Sequence, residues 1–203
     1  MKSANIIFFC FLILAVNQVE AADFTQSILL KEKFTVRLPA NWRQIPKYVL
    51  ENYKAEMRAT YPNVKIPDYT YAFQKNNKQG EYFKFPYIII RMVNIPMTNK
   101  DVEKLTKSKI DVNEIRKKLP KKLSKIDFGK YVYDSDGHII WMKTKSEAAG
   151  MNLVGITAIK RTKVSTIIIN CNSLESEYGN YSQLFEDFVR IIKLDDSIKG
   201  TTE

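Results

Sequence analysis

Leu153-Val154-Gly155-Ile156-Thr157-Ala158-Ile159 and Val164-Ser165-Thr166-Ile167-Ile168-Ile169-Asn170-Cys171 are two apolar, β-branched runs. Lys160-Arg161-Thr162-Lys163 hinges them. Strands joined by so short a connection pair antiparallel. Directly after them, Tyr181, Leu184, Phe185, Phe188 and Ile192 form one stripe at helical spacing, with Gln183, Glu186 and Asp187 outside it. A hairpin followed by an amphipathic helix predicts a sheet with a helix laid on one face.

The pattern extends toward the N-terminus. Ile126 to Tyr133 is a candidate strand, Asp134-Ser135-Asp136-Gly137 is turn chemistry, and Ile139-Ile140-Trp141-Met142 follows it. Glu147 to Gly150 reads as another turn. Phe34 to Leu38 alternates as a half-buried strand ended by Pro39. Pro46 is well placed to open a helix, whose face is Val49, Leu50, Tyr53, Met57 and Tyr61, and Pro62 stops it. Tyr69, Tyr71 and Phe73 alternate as a strand, Asn76 to Gly80 is a polar turn, and Tyr87 to Val93 suits a central strand. Thr98 and Asp101 make a capping pair for a second helix with Val102, Leu105, Val112, Ile115 and Leu119, closed by Pro120. There is no internal repeat. The predicted class is α+β: one antiparallel sheet of six or seven strands flanked by three amphipathic helices, as an α/β/α or two-layer sandwich.

This order of elements resembles the PsbP-like fold, named for an extrinsic subunit of photosystem II. Leu38-Pro39-Ala40-Asn41-Trp42, Tyr71-Ala72-Phe73-Gln74 and Phe85-Pro86-Tyr87-Ile88-Ile89 are similar to segments of exported bacterial proteins of that shape. Asn170-Cys171-Asn172-Ser173 before the last helix adds to the likeness, which spans residues 33 to 195. The resemblance implies a fold and a non-enzymatic role. It implies no ligand, metal or cofactor.

The first 21 residues predict an address. Lys2 precedes an apolar run from Ile6 to Val16, Asn17 and Gln18 break it, and Val19-Glu20-Ala21 is a small-x-small cleavage site. That is the layout of a secretory signal peptide. Cys10 sits inside the run without the small residues a lipidation site requires. The expected organisation is a signal peptide over 1–21, a single domain over 22–195 and a flexible tail over 196–203. No later segment approaches the roughly 20 apolar residues a membrane-spanning helix takes. The expected location is periplasmic or secreted.

The net charge is +10. An exported protein rarely meets nucleic acid, so anionic lipid headgroups, lipopolysaccharide, acidic polysaccharide or an acidic envelope protein are the expected partners. Richness in Lys, Ile and Asn together also fits genomic base composition alone. After cleavage Cys171 is the lone cysteine, so no internal disulfide forms. It shares parity with Ile167 and Ile169 and is expected as a buried thiol. His138 is the only histidine and follows Gly137 in the predicted turn.

Three features remain as candidate sites. Asp134-Ser135-Asp136-Gly137 resembles a calcium loop, but the position that needs Glu holds Lys143, so turn geometry is the better reading. In the aromatic cluster, alternation assigns Tyr69, Tyr71 and Phe73 to the core, and the turn leaves Tyr82 and Phe83 as the exposed pair able to stack on a ligand. The basic run Arg116, Lys117, Lys118, Lys121, Lys122 and Lys125 contains no acid and interleaves Leu119 and Leu123. Two readings of it stay open: solvated charge at a helix C-terminus, favoured by the dipole, or a surface that docks on anions. The carboxylates show no spacing that defines an acid/base pair. The expected function is therefore a non-catalytic binding or accessory module of the cell envelope, without cofactor. The alternative is an envelope hydrolase using unassigned carboxylates.

Overall fold

The computed structural model describes residues 24–30, 34–60, 62, 68–76, 78, 80–107, 126–134, 139–148, 150–162 and 164–194. The predicted signal segment, the basic run, the 135–138 turn with His138 and the tail lie outside them.

Eleven strands and three helices are described. They are β1 (Gln26–Leu29), β2 (Phe34–Leu38), β3 (Trp42–Gln44), α1 (Lys47–Thr60), β4 (Tyr71–Lys75), β5 (Tyr87–Val93) and α2 (Asn99–Lys107). After these come β6 (Ile126–Phe128), β7 (Val132–Asp134), β8 (Ile139–Ala148), β9 (Met151–Arg161), β10 (Thr166–Leu174), α3 (Tyr178–Ile191) and β11 (Lys193–Leu194). The main sheet has eight strands, running β3-β4-β5-β10-β9-β8-β6, with β7 also on β8. All its pairs are antiparallel. The expected α+β class with three helices is the class observed.

The strand residues divide by parity. Phe73, Ile88, Ile90, Ile156, Ile167 and Ile169 join Phe185 and Phe188 of α3 in the larger core. Ala72 and Ile89 point the other way and pack with Ile45 and Leu50 at the start of α1. The unbroken run Ile88-Ile89-Ile90 is therefore buried on both faces, as a central covered strand must be. Helices on opposite faces make the molecule an α/β/α sandwich.

The single-sheet expectation is refined in four places. β2 leaves the main sheet and pairs with β1 and β11 in a separate three-stranded sheet. Its Phe34, Val36 and Leu38 are fully buried in the larger core. The predicted strand 126–133 divides into β6 and β7. Between them, Gly129 donates its N–H to the Lys143 carbonyl at 2.8 Å, which turns the chain along β8. β8 runs on to Ala148, six residues past its apolar stretch, because pairing with β9 continues after burial stops. The turn into β9 falls on Gly150, whose φ of +77° favours glycine. Short strands such as β3 carry too few residues to show a period.

The two β-branched runs pair as the β9–β10 hairpin, in register from Arg161↔Thr166 to Leu153↔Leu174. A Cβ on Gly155 would stand 1.9 Å from the Cys171 carbonyl oxygen, so only glycine allows this approach. Cys171 is buried, as its parity predicts, and burial pushes its thiol pKa far up. Thr98 and Asp101 form the predicted reciprocal cap. The Thr98 N–H donates to Asp101 Oδ2 at 2.9 Å and the Asp101 N–H to Thr98 Oγ1 at 3.2 Å.

Candidate functional site

The six basic residues assigned to anion docking, Arg116, Lys117, Lys118, Lys121, Lys122 and Lys125, lie outside the described residues. The other predicted pair, Tyr82 and Phe83, is described and is not the exposed tip expected from its turn. Both residues are half-buried and pack against the α1-side core. The ring of Phe83 stacks on Tyr53 of α1, centroids 4.3 Å apart, and meets Tyr87 edge-on. Tyr82 lies under the Arg43 guanidinium, 5.4 Å from its ring centroid.

The cause of this correction is a buried carboxamide. Gln74 of β4 is fully buried. Its Nε2 donates to the Glu81 carbonyl at 2.8 Å, and its Oε1 accepts the Phe83 N–H at 2.8 Å. Arg43 Nη2 adds a donation to the Glu81 carbonyl at 3.0 Å. These bonds draw the loop onto the sheet and hold Phe83 at φ +56°, a left-handed conformation that a non-glycine residue adopts only when its surroundings impose it. Tyr48 stands exposed beside Tyr82, and the hydrogen bond with Tyr82 raises its pKa.

Tyr69 and Tyr71 were expected on one face. The alternation breaks because β4 begins at Tyr71, so Tyr71 packs with the larger core and Tyr69 with the α1-side core. Between these tyrosines, β1 and the start of α1 opens a groove of about 540 Å³. Ile28, Leu30, Ile45 and Leu50 supply apolar wall. Gln44, Lys47, Glu51 and Asp68 supply polar groups. Gln26 fixes one side of it by donating from Nε2 to the Pro39 and Ala40 carbonyls, at 2.9 and 2.8 Å. On the other side Lys54 of α1 is ion-paired with Asp68, whose side chain remains 80% exposed. Burial pushes the Tyr69 hydroxyl pKa up to about 12, with a smaller upward push from Tyr53, so the phenol stays protonated at neutral pH.

Sequence reasoning missed this groove. Its walls come from residues 28–30, 44–51 and 68–71, and no single segment carries a motif. Chemically it offers apolar surface interleaved with donors and acceptors. Among the described residues, no three His, Cys, Asp or Glu side chains are grouped to hold a metal ion. Among them, too, no helix is long and apolar enough to cross a membrane.

No family model matches the chain, and no curated protein matches it in sequence. In structure it is similar to cyanobacterial PsbP (CyanoP) from Synechocystis sp. PCC 6803, solved in solution. The match has a TM-score of 0.53 at 9% sequence identity and covers 84% of this chain and 92% of that one. The fold is PsbP-like, as the order of elements in the sequence implied.

Proposed function

We propose that this chain is an exported, non-catalytic accessory module of the cell envelope, akin to exported bacterial proteins of PsbP-like fold. The observation that carries the reading is the state of the groove carboxylates. A general acid in a hydrolase needs a carboxyl withdrawn from water. Asp68 is 80% exposed and neutralised by Lys54, and Glu51 stands exposed on α1. Water-facing carboxylates, one of them held by a lysine, suit recognition better than proton transfer, which disfavours the envelope-hydrolase reading.

Docking falls to the basic run, Arg116 to Lys125, with Tyr82 beside exposed Tyr48 as an auxiliary aromatic contact. Each lysine near an anionic surface contributes about 1 kcal/mol, and the attraction fades beyond a Debye length of roughly 8 Å at physiological salt. The test is co-sedimentation with phosphatidylglycerol vesicles across a salt series. Wild type should bind at low salt and release steeply as salt rises. The Lys117→Gln, Lys118→Gln, Lys121→Gln, Lys122→Gln quadruple variant should not bind, with its melting temperature nearly unchanged. Equal binding by the two proteins would overturn the docking assignment. Export is checked by intact mass: the protein should begin at Ala22, and full-length mass in the soluble envelope fraction would contradict it.

A further inference from the structure

We propose that the groove between β1, the start of β4 and α1 is a binding site for a neutral polyhydroxylated ligand, a short oligosaccharide segment. Its volume of about 540 Å³ lies in the range of small-molecule sites, roughly 300–1,000 Å³. The local charge balances. Lys47 and Lys54 offset Glu51 and Asp68, in a protein whose overall charge is +10. A neutral ligand suits that balance better than a phosphate or a polycation.

The lining selects among neutral ligands. An acyl chain would cover Gln44, Glu51 and Tyr69 without satisfying them, and polar groups buried unpaired are costly. A sugar carries apolar C–H faces and a ring of hydroxyls that both donate and accept. Glu51 and Asp68 accept from hydroxyls, Lys47 donates, and Gln44 and the protonated Tyr69 phenol do either. Bonds to the two carboxylates are charge-assisted and so the strongest available. Ile28, Leu30 and the tyrosine rings supply apolar surface for the C–H faces. The groove shares no residue with the basic run, so vesicle docking and sugar binding can fail separately.

The test is calorimetric titration of the purified protein with maltotetraose, cellotetraose and the fully N-acetylated chitotetraose, at low salt and at about 0.5 M salt, where exposed charges are largely screened. At least one should bind saturably with the same affinity at both. Glu51→Gln, on the exposed face of α1, should weaken it about tenfold while the melting temperature stays put, because it removes a charged acceptor. Tyr69→Phe, which keeps the ring, should also weaken it. Absence of saturable binding by all three sugars would overturn the proposal. So would unchanged affinity in both variants, or displacement of the bound sugar by tetralysine, which would mark the carboxylates as an amine site.

Discussion

Single residues decide how the loop after β4 sits, and Gln74 decides most. Removing its carboxamide leaves the Phe83 N–H without its partner and the Glu81 carbonyl with Arg43 as its side-chain donor. Gln74→Leu should therefore cost about 2 kcal/mol or more in a denaturant melt, since an orphaned buried group costs roughly 1–3 kcal/mol. A loss under about 0.5 kcal/mol would mean the loop holds itself. Lys160 makes a second residue-level prediction. It is buried, its Nζ donates to the Ile192 carbonyl at 2.8 Å, and burial lowers its pKa to about 8, against a smaller upward pull from Asp134. Free lysine titrates near 10.4, so between those values the unfolded chain holds a proton that the folded one has lost. Stability from this residue must then rise with pH through that window, by at most about 1.4 kcal/mol per pH unit. Cys171 works against it, because its thiol ionises only in the unfolded chain there. Comparing wild type with Lys160→Met from pH 7.5 to 9.5 isolates the lysine: the wild-type advantage should grow with pH, and parallel curves would refute the assignment. The burial of Cys171 was legible from strand parity alone. The half-burial of Phe83 was not, because it depends on a carboxamide nine residues away turning inward at a position where polar residues usually face water.

At the level of elements, long periodic segments were legible and short ones were not. The stripe on α3 was readable because Leu184, Phe185 and Phe188 recur at helical spacing, and all three are buried. Phe185→Ala or Phe188→Ala should cost roughly 3–5 kcal/mol, the usual cost of truncating a fully buried ring. Chemical denaturation showing less than about 1 kcal/mol for both would make α3 peripheral. The β9–β10 hairpin was equally plain from its β-branched runs, but its dependence on Gly155 was not. Gly155→Ala places a methyl group against backbone that cannot swing aside. It should cost about 1–3 kcal/mol, as overpacking does, and should let a thiol reagent reach Cys171 faster than in wild type. An unchanged labelling rate with unchanged stability would show that the two strands separate at no cost. β1, β3 and β11 have two to four residues each, fewer than a period needs to declare itself.

Across the whole molecule, local pattern conveyed the class of fold and long-range assembly made the groove. Ile28, Glu51 and Asp68 stand far apart in the chain, and only the placement of the small sheet against the start of β4 brings them to one opening. That opening holds apolar wall beside solvated, charge-balanced polar groups, which suits holding a ligand better than cleaving one. The groove therefore binds without turnover in the proposed function. The most direct measurement incubates the purified protein with isolated cell-envelope material and follows two readouts together: protein in the pellet and soluble fragments released. The protein should pellet with the envelope at low salt, and fragment release should stay at the level of a protein-free control. Release that grows with protein concentration and disappears in Glu51→Gln or Asp68→Asn would contradict it, and would turn the groove carboxylates into catalytic residues.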